Sequence, residues 1–375
     1  MKKLLLACAI SYGLCGVAQE TDSSSTAITL DASYVGDFVY NMHGGLQQGG
    51  VFLGMASLGM LIETEKLGLW KHGSLHIHGK SLHGKSPSEQ LVGDFQVLSN
   101  IDGGEHTYLH EFWYSQTIGI SNITVGLQDA NVELVTSAYG SHFINSSFGI
   151  PSLIADNVPI AIFPLTNLGI TFTTELHEKL RFVAAVYDGK PTHFDINRYN
   201  TDWKLQKEDG ILSFVEFQYR AKETHTYKLG YYNHSGLQEF NDSLQKYNDV
   251  FTRNYGVYGI IDQKLWQQEE SKQSFGIFVQ GALSPKSINE HSVYIGGGAV
   301  YGGLGGRENV LGLAIAHARF NAGLVSETAI ELSYKAQLFS NVSIQPDVQY
   351  IITPMGSEWK TSNALAGILR FTVEL

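Results

Sequence analysis

The chain contains fourteen histidines, and His76 and His78 are the pair whose spacing best suits a shared site. Side chains two residues apart in a strand point to the same face, so the two imidazoles could bind one metal ion. His72 and His83 lie nearby, but no carboxylate in this stretch completes a tight ligand set. The sequence therefore predicts no metal site, and a polar strand face is the simpler interpretation.

Two further patterns resemble catalytic or cofactor motifs only in part. Residues 296–307 read GGGAVYGGLGGR, but a nucleotide-binding loop needs a strand before it and a helix after it. Here strand-like sequence continues on both sides, so the glycines are better explained by bends in a curved sheet. The G-x-S-x-G motif is absent, while a Ser–His pair assembled in three dimensions has no fixed sequence spacing. We predict no cofactor and no enzyme, with a barrel enzyme as an alternative.

Residues 1–18 have the layout of a secretory signal peptide. Two lysines precede a short apolar run, and Gly16 and Ala18 provide the small residues that precede cleavage. The run is shorter than the roughly 20 apolar residues of a membrane-spanning helix. Both cysteines, Cys8 and Cys15, lie within this leader. The exported chain would therefore have no disulfide, thiolate metal site or cysteine nucleophile.

Downstream of the leader, apolar and polar side chains alternate with a period of two. In residues 330–338 the even positions are apolar, whereas the odd positions are Glu, Ser, Lys and Gln. The same alternation recurs in residues 75–80, 211–220, 342–350 and 365–375. It is typical of half-buried antiparallel strands. Strand lengths of about 9 to 11 residues and aromatic residues near strand ends favour a transmembrane β-barrel, with a secreted sandwich or propeller as the alternative.

The composition agrees with a folded, membrane-embedded barrel. Only 16% of the 375 residues are charged and 11% are aromatic, and the formal net charge is −11. Soluble domains average about 25% charged residues. Binding to nucleic acid is disfavoured, because neutralising phosphates needs clustered Lys and Arg. The aromatic and aliphatic content disfavours disorder.

Chain length predicts the size of the barrel. Roughly 20 to 24 residues per strand and turn correspond to about 15 to 18 strands, and bacterial barrels have even numbers, so we predict sixteen. A barrel of this size leaves a water-filled lumen. We divide the chain into the signal peptide (1–18), a flexible N-terminal lead-in (19–33) and a single barrel domain (34–375).

One long stretch lacks strand alternation. Residues 128–164 contain Pro151, Pro159 and Pro164 and show no sustained period. Long irregular stretches in compact folds are usually functional or disordered. The many apolar residues here favour an ordered loop that folds inward and narrows the pore. An ordinary surface excursion is the alternative.

Alternation also predicts which polar side chains line the lumen. Neutral sugars need hydrogen-bonding groups and flat aromatic surfaces, and passage favours several weak contacts over one tight site. Any one of these side chains could also be a solvated lumen residue without a role in recognition. The candidates for sugar contact are Glu111, Trp113, Glu331, Lys335, Gln345, Asp347, Gln349 and Arg370.

Several segments resemble the carbohydrate-selective porins of the OprB type. The most specific are FINSSFG (143–149) and QPDVQYI (345–351), and LHEFWYSQ (109–116) also matches. The resemblance implies a sixteen-strand antiparallel barrel in which Arg and Glu project into a narrow eyelet. Glu111, Gln345, Asp347 and Gln349 lie in matching motifs, as does Trp113, whereas Arg370 is assigned by alternation alone.

The predicted function is that of a passive, sugar-selective channel in a Gram-negative outer membrane. The resemblance implies that glucose-like monosaccharides diffuse through it into the periplasm. The expected partners are carbohydrate solutes and outer-membrane lipid, not nucleic acid, and the expected state is a monomer or a homotrimer. A general, unselective porin is the alternative.

Overall fold

The described residues of the computed structural model form one closed antiparallel barrel of sixteen strands. Each strand pairs with its sequence neighbours, and β1 pairs with β16. This confirms the predicted architecture. The model describes residues 26–222, 225–236, 253–268, 272–321, 325–354 and 361–375. The strands are β1 (Ile28–Gly45), β2 (Gly49–Glu63), β3 (Gly73–Gly84), β4 (Thr107–Ile118), β5 (Ser121–Gln128), β6 (Asn167–His177), β7 (Leu180–Asp188), β8 (Ile211–Lys222), β9 (His225–His234), β10 (Asn254–Gln267), β11 (Ser274–Leu283), β12 (His291–Gly302), β13 (Val310–Phe320), β14 (Glu327–Phe339), β15 (Val342–Ile352) and β16 (Ser362–Glu374).

Strand β1 begins before the predicted start of the barrel domain. Residues 28–33, which the sequence places in a flexible lead-in, pair with β2 from Ile28 opposite Ile62 to Ser33 opposite Ser57. Residues 28–33 read ITLDAS, in which apolar and polar side chains alternate, so they continue the strand pattern N-terminal to the predicted boundary. The predicted signal peptide (1–18) lies outside the described residues.

Alternation along the strands produces two chemically distinct faces. On β14, Glu331 is fully buried, whereas the neighbouring Leu332 is 50% exposed. Exposed aliphatic and aromatic side chains recur on the outer face of the other strands, as at Phe38, Val279 and Leu313. An outer face of this kind is suited to contact with lipid. Within the described ranges, no helix combines the length and the apolar content needed to span a membrane.

The two ends of the barrel differ in the length of their connections. At one end, residues 119–120, 178–179 and 340–341 are two-residue turns. At the other end the connections include residues 85–106, 129–166 and 189–210. Bacterial outer-membrane barrels have short periplasmic turns and long extracellular loops, which assigns the long connections to the cell exterior.

Two of the long connections fold into the barrel. We call residues 85–106 the first inner segment and residues 129–166 the second inner segment. The first inner segment contains one short helical turn, Ser88–Val92. The second contains two helical turns and two short helices, which are Ala130–Val132, Gly140–His142, α1 (Ser146–Gly149) and α2 (Ser152–Asn157). The second inner segment confirms the predicted inward loop, whereas the sequence analysis did not predict the first.

Apolar packing holds both inner segments against the barrel wall. Phe148 and Leu153 of the second inner segment belong to one buried cluster with inward side chains of β7 to β13, such as Phe278. Leu98 of the first inner segment belongs to a second cluster with inward side chains of β1, β2 and β14 to β16, such as Val39. Both inner segments therefore fill part of the lumen as packed structure.

The glycine-rich stretch makes room for this packing. Gly296 and Gly298 lie on the inner face of β12, and a Cβ atom at Gly298 would lie 2.7 Å from the ring of Phe278. The ring contacts Phe143 and Phe148 of the second inner segment. Glycine here permits a close approach of aromatic rings.

Candidate functional site

The predicted lumen residues on β14 and β15 point inward, but they bind the inner segments. Glu331 accepts hydrogen bonds from the backbone N–H groups of Ile144 (2.6 Å) and Asn145 (2.9 Å). Gln349 donates to the carbonyl of Leu98 (2.9 Å) and accepts from the side chain of Asn145 (3.1 Å). Gln349 thus joins both inner segments to the wall. Because Glu331 and Gln349 are fully buried, neither is open to a solute in this structure.

Gln345, Asp347 and Lys335, the other candidates on β14 and β15, also point into the barrel. Gln345 donates to the carbonyl of His142 (2.9 Å), and Asp347 is buried beside Gln349 (3.3 Å). Lys335 is partly exposed. Burial, and then the positive charge of Lys335, lower the pKa of His142 to about 4, so this imidazole is neutral at pH 7.

Arg370 completes this wall as one partner of a buried ion pair. Its guanidinium donates to both carboxylate oxygens of Asp37, at 2.7 and 2.8 Å. The hydroxyl of Ser99, in the first inner segment, also donates to Asp37 (2.7 Å). Asp37 is fully buried. The pair therefore joins β16, β1 and the first inner segment.

Three carboxylates that the sequence analysis did not select bind the inner segments in the same way. Asp262 accepts hydrogen bonds from the hydroxyl of Ser137 and the N–H groups of the next two residues, at 2.6 to 3.2 Å. Glu216 accepts from the N–H of Val135 (3.0 Å), and Glu327 from those of residues 95 and 96. Irregular backbone leaves N–H groups without a ladder partner, and a buried one needs an acceptor. Alternation alone would have placed these acids inward, but not against an inner segment.

The inner face of β3 to β6 has a different character. Among the described residues, the two large apolar clusters that hold the inner segments include no side chain of these four strands. A small third cluster contains Leu82 of β3 and Tyr108 of β4, and Phe163 and Leu165 of the second inner segment pack against it. Hydrogen-bonded polar side chains also lie on this face, as where Ser115 donates to Asn122 (2.9 Å) and Thr124 donates to Ser115 (3.2 Å). We call the inward side chains of β3 to β6 the polar wall. Polar groups and water can occupy the space beside it, so it is the candidate surface for solute passage.

Glu111 and Trp113, the two remaining candidates, lie on the polar wall. A β-bulge opposite His78 directs both His110 and Glu111 inward. One oxygen of Glu111 lies 3.7 Å from Nδ1 of His78 and 4.0 Å from Nδ1 of His76, and the other accepts from the indole N–H of Trp113 (3.2 Å). The sequence analysis missed this cross-strand contact, because the register depends on the bulge.

The histidines of this cluster act as partners of a carboxylate. Within the part of the chain that the structure describes, no group of three or more His, Cys, Asp or Glu residues has the arrangement of a metal site. Contact with the Glu111 carboxylate, at 3.7 Å from Nδ1 of His78 and 4.0 Å from Nδ1 of His76, explains why both histidines face this point of the lumen.

The same cluster anchors both ends of the second inner segment. Glu111 accepts a hydrogen bond from the N–H of Asp129 (3.3 Å), where the segment begins. Asp129 accepts from the N–H groups of Asn131 (2.9 Å) and Phe163 (3.2 Å), and lies 3.4 Å from Nε2 of His110. The constriction is therefore fixed on its polar side as well as on its apolar side.

A cation and an aromatic ring face each other beside this anchor. The ammonium of Lys80 lies 4.9 Å from the ring centroid of Phe163. A cation over an aromatic face at this distance is favourable. Lys80, Phe163 and the hydrogen-bonding groups of the polar wall together provide the kinds of contact that a sugar needs.

Next to the polar wall, partly exposed ion pairs lie on the inner face of β6 to β8. Arg181 donates to Glu133 of the second inner segment (2.6 Å), and Arg220 donates to Glu175 (2.9 Å). Alternation along the strands directs Glu175, Arg181 and Arg220 inward, so the sequence alone could have identified them as lumen residues. Glu133 lies in the irregular stretch, where alternation gives no direction.

Arg181→Ala is expected to change ion selectivity more than stability. Side chains that are 22% and 32% exposed, as in the pair with Glu133, contribute under about 1 kcal/mol. Loss of the guanidinium leaves Glu133 uncompensated beside the lumen. The reversal potential across a planar bilayer with a KCl gradient should shift toward cation selectivity. An unchanged potential would place the pair outside the ion pathway.

A Ser–His contact also exists inside the barrel. Ser152 lies 3.0 Å from Nε2 of His291, whose Nδ1 lies 3.1 Å from the carbonyl oxygen of Arg319. Both side chains are buried, and the contact attaches α2 to β12. Because the hydroxyl is closed to a substrate in this structure, the contact gives the alternative of a barrel enzyme no support.

Comparisons with known proteins agree on the family and the fold. The family model described as carbohydrate-selective porin, OprB family, matches residues 47–375. The high-pH structure of Pseudomonas putida OprB superimposes with a TM-score of 0.84 at 16% identity, covering 93% of this chain and 94% of that chain. The low-pH structure of the same protein superimposes with a TM-score of 0.59 at 14% sequence identity, covering 93% of each chain. A triple mutant of Rhodopseudomonas blastica porin superimposes with a TM-score of 0.52 at 10% sequence identity, covering 93% of this chain and 100% of that chain. No curated protein matches the chain in sequence.

Proposed function

The chain belongs to the carbohydrate-selective porin family OprB, and from this premise we propose that monosaccharides cross its lumen along the polar wall. As a member of this family with a sixteen-strand barrel, it is a sugar-selective porin of the outer membrane. The observation that carries the proposed route is the asymmetry of the lumen. The two large apolar clusters hold the inner segments against β7 to β16, β1 and β2. A smaller cluster at Leu82 and Tyr108 contacts Phe163 and Leu165 of the second inner segment, and the polar inward side chains of β3 to β6 form the hydrated side.

Weak, replaceable contacts are what passive passage requires. A solute that bound one site tightly would block the channel, whereas several exchangeable hydrogen bonds permit both entry and release. The amide of Asn122 and the hydroxyl of Thr124, both partly exposed, provide such contacts, and Lys80 with Phe163 adds a charged group beside an aromatic face. No energy source is needed, because the sugar moves down its own gradient.

Rigid anchoring of the constriction favours selectivity over general diffusion. The second inner segment is attached to the wall by Glu331, Asp262 and Glu216, and its two ends are held through Asp129. A fixed aperture can discriminate by size and hydrogen bonding, whereas a mobile loop cannot. We therefore favour glucose-like monosaccharides over a general mixture of small solutes.

Liposome swelling with the purified protein tests this function. We expect glucose and other neutral hexoses to enter faster than neutral amino acids of similar size. Lys80→Ala should reduce this discrimination several-fold, at about 1 to 2 kcal/mol per lost polar contact, without closing the channel. The matched control is Lys272→Ala, which removes an exposed lysine that pairs with Glu308, both in connections between strands.

Two outcomes would contradict the proposal. Equal rates for hexoses and size-matched amino acids in the wild-type protein would assign it as a general porin. Normal discrimination in both Lys80→Ala and Glu111→Ala would move the selective route away from the polar wall.

A further inference from the structure

A groove lies on the lipid-facing side of the barrel near the extracellular end. Its volume is about 420 Å³. Alternation places most of its strand residues on the outer face of β2 to β4, and their inward neighbours Ser57, Lys80 and Tyr108 contribute to its floor. The outward-facing lining residues are Ala56, Leu58, Gly79, Ser81, Thr107 and Leu109.

Small residues and the β-bulge create the depression. Gly79 lies at the bulge opposite Leu109, and its neighbour across β2 is Leu58. A Cβ atom at Gly79 would have the carbonyl oxygen of Tyr108, at 3.7 Å, as its nearest atom. The groove is therefore open at Gly79 because a side chain is missing, and a larger residue would fit there.

An extracellular connection forms one side of the groove. Tyr199 and Thr201, from residues 189–210, line it. The carbonyl of Tyr199 accepts a hydrogen bond from the N–H of Leu109 (3.0 Å), and the nearby Trp203 stacks on the outward Phe112 with ring centroids 6.1 Å apart. Residues 199–203 of this connection therefore lie beside β4, where Trp203 reaches the outer face, whereas Phe194 of the same connection packs against the inward Tyr108.

A positive charge marks the outer rim. The guanidinium of Arg198 lies 5.5 Å from the ring centroid of Tyr199, which itself lines the groove. An arginine at the edge of an apolar groove matches the chemistry of a lipid, since the phosphate can bind the guanidinium while an acyl chain occupies the groove.

We propose that this groove binds one acyl chain of an anionic, phosphate-bearing lipid of the outer leaflet, with the phosphate at Arg198. Charge complementarity favours this occupant over a second copy of the chain. The volume suits a single chain. The inference is separable from the sugar pathway, because its variants at Gly79, Ala56 and Arg198 leave unchanged Lys80, which faces the lumen and contributes to the groove floor.

Native mass spectrometry of the detergent-purified protein tests this inference. The probes are dimyristoyl phosphatidylglycerol and dimyristoyl phosphatidylcholine, which have the same chains and differ in net charge. We expect one preferred phosphatidylglycerol molecule per barrel. Gly79→Leu should weaken its binding about tenfold by filling the groove. Arg198→Ala should weaken phosphatidylglycerol about fivefold and phosphatidylcholine much less, because the choline cation already offsets the charge of its phosphate.

Gly281→Leu is the matched control. Gly281 is an outward glycine on β11, and a Cβ atom there also meets only a carbonyl oxygen, at 3.9 Å. The Gly281→Leu variant should bind phosphatidylglycerol as tightly as the wild type does. Ala56→Leu provides a second groove-filling variant in case Gly79→Leu does not fold, and both should keep normal hexose swelling.

Three results would overturn the proposal. The first is unchanged lipid binding in folded Gly79→Leu and Ala56→Leu. The second is an equal loss in Gly281→Leu, which would indicate non-specific adducts. The third is loss of an oligomer in the groove variants with unchanged lipid binding, which would assign the groove to a second copy of the chain.

Discussion

Glu331→Ala is expected to detach the second inner segment from β14 and to increase the single-channel conductance. The carboxylate accepts two backbone hydrogen bonds at a fully buried position. Alanine leaves the N–H groups of Ile144 and Asn145 without these acceptors, at a cost of about 1 to 3 kcal/mol each. The segment can recover the loss only by moving toward water. A displaced segment widens the aperture.

Conductance in planar bilayers and swelling with a disaccharide measure this effect. We expect larger single-channel steps, and faster disaccharide entry relative to glucose, in Glu331→Ala than in the wild type. Glu331→Gln should lie between the two, because its amide retains one acceptor oxygen. Glu308→Ala is the control, since it removes an acid that pairs with Lys272 in a connection between strands.

A folded Glu331→Ala variant with wild-type conductance and wild-type sugar preference would contradict this account. It would mean that apolar packing alone positions the segment. Asp262→Ala, which removes the acceptor for three donors of the same segment, would then be expected to behave like the wild type as well.

Arg370→Ala is expected to have the largest effect on stability. It leaves the carboxylate of Asp37, which is fully buried, without its bidentate partner. Removing one member of a buried ion pair costs about 3 to 5 kcal/mol. The temperature at which the barrel loses its compact mobility in gel electrophoresis should therefore fall clearly.

The double variant Asp37→Ala/Arg370→Ala distinguishes two causes of instability, which are the loss of the ion pair's attraction and the burial of an unpaired carboxylate. With both side chains replaced, no uncompensated charge remains in the interior, so much of the stability should return. Equal instability of the single and double variants would indicate that packing around Arg370, and not the charge of Asp37, dominates. Wild-type stability of Arg370→Ala would contradict the account.

The buried acids also explain how a chain with a net charge of −11 forms a sugar channel. Glu216, Asp262, Glu327 and Glu331 are buried acceptors for the inner segments. A large part of the inward negative charge therefore organises the constriction. Net charge consequently gives little guidance to ion selectivity, which depends on the partly exposed groups, such as Glu133 and Arg181.

The sequence by itself determined the barrel and its two faces. Alternation is a local property, since successive side chains of a strand point to opposite sides, so Glu331 and Gln349 could be directed inward from their neighbours alone. The loss of alternation after Gln128 predicted an irregular segment, and its apolar residues predicted that it would pack inside. These inferences need no knowledge of distant residues.

Only the tertiary structure decided what the inward side chains contact. Glu331 binds the backbone of Asn145, which is 186 positions away along the chain, and the bulge at His78 decides that Glu111 meets two histidines. Contacts of this kind depend on how the inner segments fold back against the wall, and a repeat of two residues contains no information about that path. Glu331, Gln345 and Gln349 contact the inner segments directly, and Arg370 contacts Asp37 and Ser99. The polar wall can be recognised only in the three-dimensional structure, where the opposite side of the lumen is filled.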